Sequence, residues 1–256
     1  MNIRWLKITD STNLEAWRNK DSCDDMTVWA AEYQTEGRGQ RGSRWESEAG
    51  NNLMFSILFR PKGLRAGSQF TMSRICAVGT ALYLRDKGLE ARVKWPNDVY
   101  VGDRKICGML LENTLKGDML ADCIAGIGLN VNQRIFSPEL PNPTSVLLET
   151  ERLCGKAAGS LDIHQELELL LDRIGTLYSA MGPDGRVPGI DSGYEEMLYR
   201  LGVSAEYEET EYFTGGEAVR FTGRIVGVER ETARLVVEHE DGRRVKYYFK
   251  EIRYVL

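Results

Sequence analysis

Two segments hold most of the residues in this chain that could do chemistry. They are Glu36-Gly37-Arg38-Gly39-Gln40-Arg41-Gly42-Ser43-Arg44-Trp45 and Lys94-Trp95-Pro96-Asn97-Asp98, the second followed by Lys105 and Gly108. Together they supply cations, glycines that permit close approach, two flat indoles and a carboxylate. The chain has only two histidines, His164 and His239, and neither neighbours a candidate nucleophile. This set suits the handling of phosphate and carboxylate groups better than imidazole chemistry.

The run Gly37-Arg38-Gly39-Gln40-Arg41-Gly42 matches G-x-G-x-x-G literally. A dinucleotide fingerprint must open a helix after a strand so that the helix amino terminus meets the pyrophosphate. Here the chain runs on through Trp45 and Asn51-Asn52 into a strand-like stretch, so that reading fails on context. A protein-kinase glycine loop does lie between strands, but no H-R-D-type loop, D-F-G or G-K-[ST] phosphate loop occurs. What survives is physical: glycines let backbone approach a ligand, and Arg38, Arg41 and Arg44 can neutralise phosphate. The bland alternative is a solvated basic loop, which is still compatible with ordering around an anion. Ser11-Thr12-Asn13 divides the same way. Thr12-Asn13-Leu14-Glu15 reads as a capping box, the favoured reading, while hydroxyls and an amide at a helix start can also hold a small polar ligand.

These groups must be positioned by the elements around them. Ile3 to Ile8 alternates like a strand, and a helix follows Thr12. Val28–Tyr33 and Leu53–Phe59 read as strands flanking the glycine loop, and Gln69–Lys87 as a helix stopped by Gly88. Strands are predicted at Arg92–Trp95, Val99–Val101, Ile106–Glu112 and Asp122–Asn132, separated by turn residues. A second helix is predicted over Ile163–Met181 behind an Asp162 cap, and a short one around Tyr194–Leu201. Alternating strands at 218–221, 223–228, 234–238 and 246–249 suggest a small β-barrel of about 55 residues. Strands in runs, with helices set apart, predict an α+β arrangement with an antiparallel-leaning sheet.

Composition sets the outer bounds. The 256 residues are 42% apolar, enough for a buried core, and the net charge of −5 argues against a general nucleic-acid binder. No stretch is long and apolar enough for a membrane span, and the amino terminus lacks a secretory signal, so a cytoplasmic location is expected. Cys23, Cys76, Cys107, Cys123 and Cys154 are widely spaced without a C-x-x-C pair, which predicts small buried apolar residues rather than disulfides or a zinc site.

Asp10-Ser11-Thr12-Asn13, Glu32-Tyr33-Gln34, the Gly37-to-Trp45 loop, Lys94-Trp95-Pro96-Asn97-Asp98, Lys105-Ile106-Cys107-Gly108 and Gly126-Ile127-Gly128-Leu129-Asn130-Val131-Asn132 resemble, in order and spacing, the motif series of the biotin protein ligases. The resemblance is strong from about residue 8 to 132 and looser beyond. It implies a catalytic domain related to class II aminoacyl-tRNA synthetases (1–201) and an SH3-like carboxy-terminal domain (202–256). The resemblance also implies a monofunctional form without the amino-terminal helix-turn-helix of some members.

The activity implied is ATP-dependent biotinylation of a lysine on a biotin carboxyl carrier protein through biotinyl-5′-adenylate, with ATP and Mg²⁺ required. No nucleic-acid or membrane partner is implied, and a homodimer is left open. By motif position, Ser11, Thr12, Asn13, Gln34, Gly37, Arg38, Gly39, Gln40, Lys105 and Gly108 would contact biotin and its carboxylate. Arg38, Trp45, Lys94, Asn97 and Asn130 would contact the nucleotide. Lys105 and Arg38 would polarise the reacting groups, with Asp98 as base or orienter for the incoming amine. Two departures stand out. Many relatives read G-R-G-R-x-G-R-x-W, whereas this chain has Gln40 and Ser43, which predicts looser retention of the adenylate unless Arg41 or Arg44 compensates. Cys107 occupies a position that is often glycine. The rival readings are a lipoate-protein ligase and a biotin-binding sensor that has lost catalysis.

Overall fold

Strand β1 (Asn2–Thr9) leads through Asp10-Ser11 into helix α1 (Thr12–Asn19), which returns the chain to β2 (Thr27–Gln34), parallel to β1. The computed structural model describes residues 1–255, and of Arg41 the backbone alone. After the glycine loop, β3 (Leu53–Phe59) runs antiparallel to β2. Helix α2 (Phe70–Asp86) precedes a hairpin of β4 (Ala91–Lys94) and β5 (Asp98–Val101), then a long hairpin of β6 (Arg104–Lys116) and β7 (Met119–Leu129). The sheet order is β1-β2-β3-β7-β6-β5-β4, with β1 and β2 its one parallel pair. This is the mixed α+β arrangement that runs of strands predict.

The alternation of β3 sorts the two faces of the sheet. Phe55, Ile57 and Phe59 point into the main core, where Met72, Ile75 and Leu84 of α2 meet them. Leu58 points the other way, into a smaller cluster with Ala16 of α1, Trp29 and Ile124. Ser56 shares that α1 side, so one sheet face carries the hydrophobic load and the other is left to present polar groups beside α1.

Helices α3 (Val146–Cys154), α4 (Ile163–Ser179) and α5 (Ile190–Glu196) follow. Helix α4 starts where Asp162 predicts, its carboxylate accepting from the His164 and Gln165 N–H groups. It crosses α2 at Gly79, where an added Cβ would lie 2.8 Å from Ile174 Cγ1 and 3.1 Å from its Cα. The helix expected around 194–201 sits earlier, at 190–196. Met197–Tyr199 instead line up beside the edge strand β4, Val93 N–H donating to Met197 O and Tyr199 N–H to Val93 O. Helix α3 went unread in the sequence because its apolar face spans little more than two turns. Cys154 at its end is exposed, contrary to the expectation of five buried cysteines; the other four are buried.

The remainder is a five-stranded antiparallel sheet, order β11-β10-β9-β8-β12, which fits the expected small β domain. Its strands are β8 (Ser204–Glu209), β9 (Val219–Val228), β10 (Leu235–His239), β11 (Arg244–Tyr247) and β12 (Ile252–Tyr254), with a short helix α6 (Glu211–Thr214) after β8. The two strands predicted at 218–228 are one. Strand β8, half of it glutamate, and β12, only three residues long, gave no strand signal. His239 lies within this sheet, stacked on Phe221 at 4.0 Å and bonded to Tyr247, far from any candidate chemistry. Among the described residues no helix is long and apolar enough to cross a membrane.

Replacing Gly79 with valine should push α2 and α4 apart at a backbone contact and destabilise the fold by about 1–3 kcal/mol. A lower urea midpoint is the expected result; an unchanged midpoint would show that the helices do not meet there.

Candidate active site

The face of β6 and β7 beside α1 is stripped of side chains where the site forms. Gly126 and Gly128 are two apart on β7 and so share a face, and Gly108 is the direct cross-strand partner of Gly128. Added Cβ atoms would collide with what lies on this floor. At Gly126 the clash is with Asn13 Oδ1 at 2.2 Å, and at Gly128 with Trp45 Cε2 at 2.3 Å. At Gly108 it is with Trp45 Cζ3 at 2.9 Å. The Trp45 indole therefore lies flat on bare backbone.

At one end of the floor a polar network gathers at the start of α1. Gln34 Oε1 accepts from Thr12 N–H at 2.7 Å and faces Thr12 Oγ1 at 3.2 Å. Ser56 Oγ lies 2.8 Å from Thr12 Oγ1 and 2.6 Å from Asn13 Oδ1. Asn13 Nδ2 donates to Glu112 Oε2 at 2.8 Å, and the other oxygen of Glu112 lies 3.4 Å from Arg38 Nη1. Ser11, Thr12 and Asn13 are buried. The capping box is not formed: Ser11 occupies the N-cap position without a side-chain bond, and Gln34 from β2 satisfies the Thr12 amide instead. The hydroxyls and amide that the bland reading assigned to a cap thus face the floor and one another.

The opposite end is cationic. Lys105 Nζ sits 2.8 Å from Asp98 Oδ1 and 5.9 Å from the Trp45 ring. Lys94, cross-strand partner of Asp98, lies 4.8 and 4.9 Å from the rings of Tyr100 and Tyr254 and donates to Tyr100 Oη at 3.1 Å. Burial pushes the Lys94 ammonium down from 10.5 to about 8; Asp98 opposes this, while Lys105 and Arg200 add to it. Asn97 donates its side-chain amide to Met109 O, and Asn130 donates to Thr144 O at 2.9 Å.

The glycine loop folds back on itself. Gly39 N–H donates to Ser43 O, Trp45 N–H donates to Gly37 O, and Arg38 and Arg44 form an antiparallel bridge. Residues 40–42 make a single tight turn, not the start of a helix, in keeping with the rejection of a dinucleotide fingerprint. Arg44 donates to Thr35 O at 3.0 Å, and the Arg41 side chain lies outside the described residues. Gln40 Oε1 and Trp45 Nε1 are buried with no partner among the described residues, an acceptor and a donor that a ligand could meet.

One cavity of about 560 Å³ is lined by Ser11, Thr12, Asn13, Gln34, Arg38, Gly39, Gln40, Trp45, Lys94, Asn97, Asp98, Lys105, Gly108 and Asn130. Among the described site residues named from sequence, Gly37 is outside it, lining a neighbouring depression behind the loop, where its carbonyl holds Trp45. Sequence reasoning missed Tyr100, the segment Leu140–Pro143 and a wall from the chain's far end, Phe249, Ile252, Arg253 and Tyr254. The 140–143 segment is held by Lys105 N–H donating to Asn142 O and Thr144 N–H donating to Lys105 O. Nothing local in these stretches marks them; only pairing with distant elements brings them in.

The depressed Lys94 supplies a pH test. Between about 8 and 10.5 the unfolded chain binds this proton and the fold does not, so Lys94 adds stability as pH rises through that window and carries the full cost of a buried charge below it. Lys94→Met should therefore raise the Tm at pH 7, with the advantage shrinking between pH 8 and 10. An advantage constant across that range would contradict the burial of a titrating ammonium.

Residues 5–130 match the model of the biotin/lipoate A/B protein ligase family. The bifunctional ligase/repressor BirA of Salmonella typhimurium is 35% identical over 155 residues, 58% of this chain and 46% of that protein. The biotin–[acetyl-CoA-carboxylase] ligase of Paracoccus denitrificans is 35% identical over 149 residues, 56% of this chain and 61% of that protein. The chain thus spans about half the length of these curated relatives. The biotin protein ligase of Aquifex aeolicus, solved with biotin and ATP, superposes with a TM-score of 0.75 at 28% identity over 99% of both chains. The family match covers residues 5–130, and the similarities of the chain to curated and solved proteins run to the biotin protein ligases.

Proposed function

We propose that this chain is an ATP-dependent biotin protein ligase that joins biotin to a lysine of a biotin carboxyl carrier protein. The observation that carries the reading is the convergence of Arg38 and Lys105, 67 positions apart by their numbers, on one cavity over a glycine floor. In the first step a biotin carboxylate oxygen bonds to the α-phosphorus of ATP, and the bond to the bridging oxygen breaks, releasing pyrophosphate. In the second the carrier amine bonds to the acyl carbon of biotinyl-5′-adenylate, the acyl–oxygen bond breaks and AMP leaves. Both steps bring anions together or move negative charge onto oxygen, so fixed cations and oriented donors lower the barrier.

In this assignment the end formed by Ser11, Thr12, Asn13 and Gln34 takes the ureido ring, a group of one carbonyl and two N–H donors that suits mixed hydroxyl and amide partners. Arg38, Gly39 and Gln40 close over the carboxylate and the adenylate phosphate. Lys105 polarises the reacting oxygens, and Asp98, 2.8 Å from its ammonium, fixes that ammonium and orients the incoming amine. Trp45, Lys94, Asn97 and Asn130 contact the nucleotide. Among the described residues no group of three His, Cys, Asp or Glu side chains is arranged to hold a metal. Magnesium would arrive with the ATP phosphates and offset their charge.

Incubation with ATP and either biotin or lipoate, followed by mass spectrometry, should reveal biotinyl-adenylate and, with a carrier domain added, one biotinylated lysine. Lipoyl-adenylate alone would overturn the assignment, and biotin binding without pyrophosphate release would favour a sensor. Lys105→Ala should slow pyrophosphate release roughly 10²–10³-fold while leaving the Tm nearly unchanged. Undiminished release would remove Lys105 from the chemistry.

A further inference from the structure

Arg74 does not line the cavity, yet its guanidinium is only 4% exposed. A buried guanidinium loses hydration and is retained where its planar fork holds several acceptors at once. From α2 it reaches Asp191 Oδ1 at 3.1 Å, Arg230 O at 3.4 Å and Glu229 O at 3.3 Å, and it lies 5.0 and 5.9 Å from the Phe70 and Tyr194 rings. Arg230 closes the cluster with its own bond to Asp191 at 2.8 Å. The two carbonyls belong to the turn between β9 and β10, which is stapled by Glu229 N–H to Arg234 O and Ala233 N–H to Glu229 O.

Both partners of Arg74 lead to the same cavity wall. The turn presents the Ala233 carbonyl to Trp95 Nε1 at 2.9 Å. Tyr194, under the guanidinium, donates its hydroxyl to Pro96 O at 3.2 Å. Trp95 and Pro96 are continuous with Asn97, whose carbonyl accepts from Met109 N–H, and with Asp98, which holds Lys105. The indole of Trp95 is itself 5% exposed and packed on Phe249, so its position follows the turn.

We propose that Arg74 is a positioning residue for this site: it clamps the β9–β10 turn and Tyr194 together, and these two hold the Trp95–Asp98 wall against the reacting groups. The catalytic part of this inference rests on the ligase reading. The clamp itself does not, and can be tested without turnover.

Hydrogen–deuterium exchange and pyrophosphate release should be compared for wild type, Arg74→Met, Arg74→Lys and Trp95→Phe. Arg74→Met should raise exchange at least tenfold in both 95–98 and 229–234 while β3 and β7 stay protected. It should also lower kcat for adenylate formation about tenfold with little change in KM for biotin, whose proposed ureido-ring contacts lie at the other end of the floor. Arg74→Lys, which keeps the charge but loses the planar fork, should recover part of the loss. Trp95→Phe, which keeps an aromatic ring and loses the donor, should reproduce the kcat effect without loosening 229–234. Faster exchange at 229–234 with 95–98 unmoved, or a uniform rise across the protein, would overturn the proposal. If Arg74→Met does not fold, an unaltered kcat in Trp95→Phe would overturn it equally. A wild type that makes no adenylate would defeat the ligase reading and leave the exchange result to decide the clamp.

Discussion

The organising constraint is the side-chain-free patch where Gly108, Gly126 and Gly128 meet on β6 and β7. A sheet face normally projects a side chain from every second residue, so a planar group cannot reach the backbone. Here it can, and Trp45 does. Everything else in the cavity is arranged around that access. Helix α1 brings its first residues to one end, the β4–β5 hairpin and Lys105 bring charge to the other, and the glycine loop folds over the top. Helix α1 and the β4–β5 hairpin are held by hydrogen bonds to other elements, and the glycine loop largely by bonds within itself.

The two ends of the floor differ in kind. Around Thr12, Asn13, Gln34 and Ser56 the groups are neutral donors and acceptors that already satisfy one another, an arrangement that holds its shape at little electrostatic cost. Around Lys94, Asp98 and Lys105 two ammonium groups share one nearby carboxylate, and one of them loses much of its solvation between two tyrosines. Such a cluster is under-neutralised, so an anionic ligand relieves it. One cavity thus carries neutral hydrogen-bonding groups at one end and excess positive charge at the other.

Much of this was legible in the sequence, but unevenly. Motif residues such as Arg38, Asp98 and Lys105 were identifiable because glycine and proline punctuate the loops and hairpins that carry them. Long elements such as α2 and α4 announced themselves through helical periodicity and, for α4, through Asp162. The function of Thr12 was readable only as a choice between cap and ligand contact, since the deciding partner, Gln34, lies 22 residues away on another strand. Tyr100, Asn142 and Arg253 carry no local mark of their place in the cavity; register and domain packing put them there. Arg74 was hidden for a similar reason, because a cationic residue in a helix reads as solvated until the burial of its face is known. Cys154 failed in the opposite sense, since a short helix end exposes what composition alone would bury.

The far wall of the cavity has a consequence for how the protein comes into being. Ile252, Arg253 and Tyr254 belong to β12, which is joined to the rest of its sheet only through β8. A nascent chain that has emerged as far as the glycine loop and Lys105 holds much of the cavity's polar lining but not the wall that β12 adds. Enclosure of the cavity on that side is therefore complete only once β12 has paired with β8.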